Sequence, residues 1–393
     1  MLCRDAFELP EGIVYLDGNS LGPLPKGARE RALKTIEHEW GQELIRAWNG
    51  ADWIGLPTRV GDRIARLIGA APGTVATGDT LSLKVYQALA AALPLRPERK
   101  VILSDTGNFP TDLYMADGLA ALMGQGHRVV TVAPEAVEAA ITEDVAALLL
   151  THVDYRTGRM HDMTRLTQKC AAVGAISIWD LAHSAGAVDL DLAGLEVDFA
   201  VGCSYKFLNG GPGAPAFIYA RPDHVADHAP TLAGWMGHAA PFAMERGYRP
   251  ADGAERLRIG TPPVVQLSIL DAALDVWDGL DLANIRKASL HLSELFIAEV
   301  EARCPTLSLA SPRDGHERGS QVSFRHPEGY RAVRALIDRG VIGDFRPPDI
   351  MRFGITPLYL TEADIHTASE TLAEVMAEDL WRAPEYARVA RVT

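Results

Sequence analysis

The stretch VDFAVG at residues 197–202, followed by CSYKFLNGGPGAP at 203–215, decides the fold. Its first half is an apolar run typical of a buried strand, and its second half is a Gly/Pro-rich loop. Other short apolar runs alternate with helical patterns before it, which indicates an α/β domain with a mostly parallel sheet. Ligands of such sheets bind at the carboxyl ends of the strands. Lys206, directly after the strand, therefore lies where an active site is expected.

The alternating pattern extends from about residue 75 to 220. The predicted strands there are 100–104, 128–132, 146–151, 175–179, 197–202 and 216–220, and the predicted helices are 81–93, 111–124, 134–141 and 162–173. Two earlier helices are predicted at 26–40 and 56–69. After about residue 264 the pattern changes to helices at 264–279, 282–302, 328–339 and 362–380, with weaker strands at 306–310, 320–324 and 350–353. We expect a large domain over 50–265, and a smaller α+β domain formed by 266–393 and the N-terminal extension 1–49.

Composition excludes several classes of protein. The chain has 393 residues, a mass of 42.5 kDa and a net charge of −13, so a general nucleic-acid binder, which would be basic, is not expected. The start, MLCRDAFELPEG, lacks the pattern of a signal peptide, and the run VAALLL at 145–150 is too short to span a membrane. Four cysteines far apart, without a CxxC pair, predict a reduced, cytoplasmic protein with no zinc site or other metal: Cys3, Cys170, Cys203 and Cys304.

Lysine is scarce in this chain, since only seven of the 38 basic residues are lysine. Lys206 alone lies among aromatic residues and glycines, a crowded setting suited to a lysine that forms an imine. The other six are predicted to be ordinary surface charges: Lys26, Lys34, Lys84 (on a helix face), Lys100, Lys169 and Lys287.

The segment ISIWDLAH at 176–183 adds a second candidate group. Asp180 ends an apolar strand, and His183 follows it with small residues beyond. A structural role as a helix N-cap is the alternative for Asp180. A strand-end aspartate followed about 25 residues later by a strand-end lysine is the arrangement that pyridoxal phosphate requires. The acid keeps the pyridine nitrogen protonated, and the lysine carries the aldehyde.

Such a cofactor also needs a phosphate site and a platform for its ring. In GDTLSLKVY at 78–86, Thr80 and Ser82 begin a helix, where free N–H groups favour anions, although a plain N-cap explains them equally well. In TGNFPTD at 106–112, Phe109 is either a ring platform or a core residue. Arg352 either clamps a substrate carboxylate or forms a surface salt bridge. The glycines at 210–213 match neither nucleotide-binding loop pattern.

Together these segments resemble the kynureninase family. The resemblance rests on YLDGNSLGPLP at 15–25, FPTD at 109–112, DLAH at 180–183, SYKFLNGGPG at 204–213, GWMGH at 234–238 and the segment at 352–359. These motifs cover nearly the whole chain in the order of the family. The resemblance implies the aspartate-aminotransferase-like fold type I, with a mostly parallel seven-stranded sheet and pyridoxal 5'-phosphate as cofactor.

The resemblance also implies roles for individual residues. Lys206 would form the imine with the cofactor, Asp180 would pair with the pyridine nitrogen, and Tyr205 would assist proton transfer. Arg352 would hold the substrate carboxylate. Phe109 would stack on the cofactor ring, and Trp235 and Thr261 would reach the cofactor from the neighbouring subunit of a homodimer. Tyr205 would also line the cofactor, near its phosphate. The remaining cofactor-binding positions would be Leu81, Ser82, Pro110, Thr111, Asp112, Thr151 and His183.

The implied activity is hydrolytic cleavage of the Cβ–Cγ bond of L-kynurenine to anthranilate and L-alanine. 3-Hydroxy-L-kynurenine is a second candidate substrate, giving 3-hydroxyanthranilate. The pathway would be tryptophan catabolism or NAD biosynthesis, and the sequence leaves both open. The alternatives are a class V aminotransferase or epimerase on the same scaffold, or a non-catalytic protein on a retained fold. A cysteine desulfurase is disfavoured, because the stretch 310–360 has no cysteine.

Overall fold

The computed structural model describes residues 3–225 and 230–388. The strands are β1 Val14–Tyr15, β2 Val75–Thr77, β3 Val101–Asp105, β4 Arg128–Val132, β5 Val145–Thr151, β6 Ile176–Asp180, β7 Phe199–Gly202, β8 Phe217–Ala220, β9 Ser308–Leu309, β10 Gln321–Arg325, β11 Val341–Ile342, β12 Asp344–Arg346 and β13 Ile350–Gly354. The α-helices are α1 Lys26–Lys34, α2 Ala47–Gly50, α3 Leu56–Leu67, α4 Leu81–Ala92, α5 Pro110–Met123, α6 Val137–Ala140, α7 Met163–Val173, α8 Pro222–Val225, α9 Val264–Ala273, α10 Leu282–Arg303, α11 Gly329–Ile337 and α12 Glu362–Ala377.

A seven-stranded sheet forms the centre of the larger part of the chain. Its strand order is β2-β8-β7-β6-β5-β3-β4, and the pairs from β4 to β7 are parallel. Strand β8 runs antiparallel to both β7 and β2. The strands β5, β6, β7 and β8 are buried along their whole length, which explains their uninterrupted apolar sequences. The predicted mostly parallel α/β sheet is confirmed.

Two of the helices that begin at the carboxyl edge of this sheet have clear start signals. Helix α5 starts with Pro110, a residue favoured in the first turn, and ends before Gly124, whose φ is +61°. Helix α4 is capped by Thr80, whose hydroxyl accepts the Leu83 amide. The two helices pack together, and each begins a few residues after a strand of this sheet, α4 after β2 and α5 after β3.

The second part of the chain contains a four-stranded antiparallel sheet in the order β12-β13-β10-β9. The N-terminal extension packs mainly against the second part, and its Gly22 amide donates to the Tyr205 carbonyl of the larger part. Its strand β1 pairs in parallel with β11, while α1 packs against α9. The domain boundaries at 49/50 and 265/266 stay a prediction.

Several predicted elements differ in extent. The helix predicted at 26–40 is α1 followed by a π-helix over Thr35–Glu43, and the helix predicted at 264–279 is α9 followed by a 3-10 turn over Leu274–Trp277. The seventh strand of the large sheet is β2, which had no strand prediction. It has only three residues, too few for a periodic signal.

The prediction that Lys84 is a surface charge is wrong. Its side chain is completely buried, and its Nζ donates to Asp79 Oδ2 at 3.1 Å and to Gln87 Oε1 at 2.9 Å. Gln87 in turn donates to the Leu257 carbonyl, so the 3-10 turn Gly253–Leu257 covers this face of α4. This turn lies about 170 residues further along the chain, so the residues around Lys84 give no indication that it buries the lysine.

Among the described residues, none of the helices combines the length and apolar character needed to cross a membrane.

Candidate active site

Lys206 lies in the loop after β7, half-buried, with its Nζ 2.9 Å from His183 Nε2. The loop is held by its own backbone, since Asn209 donates to the Lys206 carbonyl and Gly210 donates to the Ser204 carbonyl. Asn209 has a φ of +58°, a left-handed conformation that asparagine tolerates better than most residues. The tight loop therefore fixes where the Lys206 side chain emerges.

The N-terminal extension touches this loop directly. The Gly22 amide donates to the Tyr205 carbonyl at 2.8 Å. A Cβ atom added at Gly22 would lie 2.4 Å from the Lys206 carbonyl oxygen, so only glycine fits without displacing backbone. The motif at 15–25 therefore buttresses the lysine loop.

Asp180 ends β6 and is fully buried beside Asp112 in the first turn of α5. Burial and the charge of Asp180 raise the pKa of Asp112 well above its usual range. Burial raises the pKa of Asp180 too, while the Lys206 charge and the Ala182 amide oppose that rise. The rise in pKa is larger for Asp112, so Asp112 is the carboxyl of this pair that is protonated first and Asp180 is the one that ionises first.

Phe109 is positioned by Asn108, a residue that the sequence did not single out. Asn108 is buried; its Oδ1 accepts the Phe109 amide at 2.7 Å and the Thr151 hydroxyl at 2.5 Å. Its Nδ2 donates to Ser104 at 2.8 Å. Phe109 itself is 40% exposed, and its ring meets the edge of the Tyr155 ring at 5.2 Å. The half-open face suits a platform better than a core position.

Tyr205 precedes Lys206, and its ring centroid lies 5.8 Å from the Lys206 Nζ. The neighbouring Cys203 and burial raise the pKa of the Tyr205 hydroxyl, so it keeps its proton near neutral pH. A protonated hydroxyl beside an amine can donate a proton to a reacting oxygen.

Arg352 is not a surface residue, since it is 2% exposed. Its Nε donates to Asp344 Oδ1 at 2.7 Å, and its Nη2 contacts the second Asp344 oxygen. Nη1 donates to the Tyr155 carbonyl at 2.6 Å, and Nη2 also donates to Ser20 at 2.7 Å. Asp344 thus occupies the Nε–Nη2 edge, and Ser20 and the Tyr155 carbonyl each accept one further N–H. Among the described residues, this leaves one N–H of Nη1 for another acceptor.

A second arginine and a second aspartate complete this cluster. Arg346 Nη2 lies 2.7 Å from Asp344 Oδ2. Asp17 is mostly buried with its Oδ1 unpaired, and burial together with the charge of Asp344 raises its pKa to about 7. The charge of the cluster therefore changes near neutral pH.

The two arginines and Lys206 face one histidine. His183 is buried, and burial together with the charges of Lys206, Arg352 and Arg346 lowers its pKa well below the usual range. Because the charges of Lys206 and of both arginines act on His183, the lysine loop and the arginine cluster lie near the same imidazole.

Other expected positions lie around this centre without a contact to Lys206 in the part of the chain that is described. Leu81 and Ser82 begin α4, and Pro110 and Thr111 begin α5. Trp235 is 39% exposed and its ring contact is with Phe242, while Thr261 lies on an exposed bend. The exposure of Trp235 and Thr261 is what a contribution to another subunit requires.

These side chains fit pyridoxal phosphate. The cofactor needs an amine, an acid for its ring nitrogen, an apolar platform and helix amides for its phosphate. Lys206, Asp180, Phe109 and the N-terminus of α4 are of these types at one edge of the sheet. Asp112 Oδ2, a buried oxygen without a hydrogen-bond partner in the described residues, lies next to Asp180. Across residues 3–225 and 230–388, no group of His, Cys, Asp and Glu side chains is arranged to hold a metal ion.

The sequence is similar to curated kynureninases over almost its whole length. It is 49% identical to kynureninase from Burkholderia pseudomallei strain 1106a, covering 99% of this chain and 95% of that protein. It is also 49% identical to kynureninase from Pseudomonas fluorescens, covering 98% and 94% respectively. The chain belongs to the kynureninase family. The predicted family is therefore confirmed, and with it a pyridoxal-phosphate-dependent hydrolase rather than an aminotransferase or epimerase.

Two family descriptions match segments of the chain. Residues 285–372 match the kynureninase C-terminal domain, and residues 65–195 match the DegT/DnrJ/EryC1/StrS aminotransferase family. The first segment includes β10 and Arg352 of the small sheet. The second includes Asp112 and Asp180.

Solved structures confirm fold type I. A C-DES mutant with glycine covalently linked to its pyridoxal-phosphate cofactor has a TM-score of 0.83 at 20% identity, covering 94% of this chain and 99% of that one. The cysteine desulfurase CsdA from Escherichia coli has a TM-score of 0.79 at 19% identity, covering 95% and 98%. At such identities the likeness concerns the fold alone.

Proposed function

We propose that this chain hydrolyses the Cβ–Cγ bond of L-kynurenine, giving anthranilate and L-alanine, and that it accepts 3-hydroxy-L-kynurenine in the same way. The observation that carries the proposal is the position of Lys206. Its Nζ lies 2.9 Å from His183, an imidazole on which the charge of the buried Arg352 also acts, and its own charge opposes the rise in the pKa of Asp180. Family membership supports the choice of substrate, since the relatives named above are kynureninases. A place in tryptophan catabolism follows from that substrate.

Bound pyridoxal phosphate would supply an aldehyde that links to an amine and a ring that takes up electrons. We assign the chain's own groups as follows. Lys206 holds the cofactor and, once released, removes the proton from the substrate Cα. Asp180 keeps its negative charge at the ring nitrogen because Asp112 is the carboxyl of the pair that is protonated first. Phe109 forms the platform, with Thr151 held beside it by Asn108.

The remaining N–H of Arg352 Nη1 would bind the substrate carboxylate, with the Ser20 hydroxyl beside it at Nη2. Because Asp344 fixes the opposite edge, the guanidinium cannot rotate away when the substrate leaves. A fixed carboxylate orients the Cα–H bond towards the Lys206 amine. Tyr205, which keeps its proton, donates to the γ-carbonyl side of the substrate.

The test is product analysis of the purified holoenzyme with L-kynurenine. We expect anthranilate fluorescence and L-alanine in equal amounts, without any added keto-acid acceptor. A keto acid that forms only with an acceptor would favour the aminotransferase alternative. The same assay with 3-hydroxy-L-kynurenine ranks the two substrates by kcat/KM.

We also propose a homodimer with shared sites. The helical segment 26–46 exposes Leu33, Ile36, Trp40, Leu44 and Ile45, while Trp235, Phe242 and Met244 are exposed elsewhere. Large exposed apolar side chains in such number are typical of a covered surface. A second copy covering them would bring Trp235 and Thr261 to the neighbouring cofactor.

Subunit mixing tests this arrangement. A Lys206→Ala subunit and a Trp235→Ala/Thr261→Ala subunit are each expected to be poorly active. A mixed dimer regains one intact site, so activity should rise on mixing. A monomer in analytical ultracentrifugation, or no gain on mixing, would contradict the proposal.

A cytoplasmic location is supported by the four free cysteines, three of them buried. Cell fractionation with an antibody to the chain is the direct check.

A further inference from the structure

Gln321, the first residue of β10, connects the two halves of the site. It is 1% exposed, and its Nε2 donates to the Tyr155 carbonyl at 3.2 Å. Arg352 Nη1 donates to the same carbonyl at 2.6 Å. A carbonyl oxygen can only accept a hydrogen bond, so the side-chain nitrogen of Gln321, not its oxygen, must face Tyr155. Oε1 of Gln321 then points away from Tyr155.

The other end of Gln321 faces His183. Oε1 of Gln321 and Nδ1 of His183 are both buried, and neither has a hydrogen bond of good geometry in the described part of the chain. Hydrogen bonding with Gln321 opposes part of the fall in the pKa of His183, so the two side chains are neighbours. The opposite ring nitrogen of His183, Nε2, lies 2.9 Å from Lys206 Nζ.

The charges around His183 decide which nitrogen carries its proton. The three charged groups that act on the ring are cations, namely Lys206, Arg352 and Arg346, and the Phe207 ring covers one side. A neutral imidazole has one N–H donor and one lone pair. The amide oxygen of Gln321 needs a donor, and an ammonium at Lys206 needs an acceptor. Both needs are met when the proton is on Nδ1.

We propose that Gln321 is a positioning residue that holds His183 with its proton on Nδ1, so that the Nε2 lone pair faces the nitrogen of Lys206. Arg352, the Tyr155 carbonyl, Gln321, His183 and Lys206 then form one connected chain from the carboxylate site to the cofactor site. This inference rests on the proposed function in one respect, the assignment of Lys206 as the residue that carries the cofactor.

The main test uses the Gln321→Met holoenzyme. Methionine fills a similar volume but cannot accept from Nδ1. Without that acceptor the Nε2 lone pair stabilises a protonated Lys206 nitrogen less well. The pH midpoint of the visible cofactor band should therefore fall by about 0.4–1 unit, the size of one lost hydrogen bond. Selective ¹⁵N-histidine spectra should show His183 protonated on Nδ1 in the unmodified protein only, assigned with His183→Asn.

The chain offers a matched control in Gln87. This buried glutamine also uses both ends, donating to the Leu257 carbonyl at 3.0 Å and accepting from Lys84 at 2.9 Å. Gln87→Met should lower the melting temperature like Gln321→Met but leave the midpoint of the band unchanged. Equal loss of stability with an unchanged midpoint in both variants would overturn the proposal.

A second variant covers the case in which Gln321→Met fails to fold. Gln321→Glu keeps the shape and places a carboxylate beside His183, which should move the midpoint upward instead. A midpoint that does not rise would count against the proposal. If instead the visible band persists in Lys206→Ala, the assignment of Lys206 is wrong, and that result is distinct from a failure of Gln321.

Discussion

The site has two walls that differ in how their charged groups are held: the first wall is the carboxyl edge of the large sheet, and the second is the arginine cluster of the small sheet. At the sheet edge, Asp112, Asp180 and His183 have displaced pKa values and few partners. In the small sheet, Arg352 donates hydrogen bonds to Asp344, Ser20 and the Tyr155 carbonyl. Groups with displaced pKa values are suited to proton transfer. An ion that is held by several hydrogen bonds instead keeps a fixed position. We therefore expect substitutions at the first wall to change kcat, and those at the second to change KM and stability.

The largest effect is expected at the sheet edge. Lys206→Ala should lower kcat by at least about 10³-fold, since it removes the base, and should abolish the visible cofactor band. Its melting temperature should stay close to that of the unmodified apoprotein. Steady-state kinetics and absorbance spectra measure both effects, with exposed Lys287→Ala as the control. If the visible band were retained, Lys206 would not be the residue that binds the cofactor, and the proposed role of the first wall would be wrong.

Asp344→Asn tests whether the ion pairs of the second wall stabilise the fold and fix the position of Arg352. It leaves the buried Arg352 without its counter-ion, which should cost about 3–5 kcal/mol of unfolding free energy. Urea unfolding measures this. The control is Asp349→Asn in the same part of the chain, whose half-exposed pair with Arg325 should be worth at most about 1 kcal/mol. Similar losses in the two variants would mean that burial of the pair has no special weight.

Arg352→Lys should separate binding from chemistry. Lysine keeps the charge but loses the fork, so KM should rise about 10–100-fold while kcat changes little. Arg346→Lys, which shares Asp344 but is more exposed, should change KM far less. A large fall in kcat with an unchanged KM would place Arg352 on the proton-transfer side of the comparison.

The smallest effect concerns Asp17, the group in the second wall with a displaced pKa. Its folded pKa of about 7 lies above the ordinary value of 3.8, so the folded state binds this proton more tightly than the unfolded chain. Ionised Asp17 therefore opposes folding, increasingly from about pH 4 to 7. Asp17→Asn should raise the melting temperature by about 2 °C at pH 8 and leave it unchanged at pH 4. Thermal scans at the two pH values measure this. A larger rise in melting temperature at pH 4 than at pH 8 would contradict the raised pKa of Asp17.

The sequence was informative where function depends on a strand end. Asp180 and Lys206 follow apolar runs, and the parallel sheet places such positions at one edge. Asp344 was not found, although it pairs across the β12–β13 hairpin directly with Arg352. Recognising that hairpin around Pro347 and Pro348 would have revealed the pair.

Contacts between distant segments could not be predicted in this way. Ser20 and Gln321 reach the site from opposite ends of the chain, and Lys84 is buried by a turn far along the sequence. Nothing in the residues next to them marks these partners, because local periodicity reports only which face of an element is apolar.

The contact of Ser20 with Asp344 has a consequence for how the protein is made. These partners are 324 positions apart, and ribosomes add about 5–20 residues each second. The synthesis of Asp344 therefore follows that of Ser20 by between about 16 and 65 seconds. Strand β6, which ends at Asp180, and the loop that holds Lys206 leave the ribosome well before that. The groups proposed to hold the cofactor are therefore synthesised long before Asp344, the partner of the proposed substrate arginine.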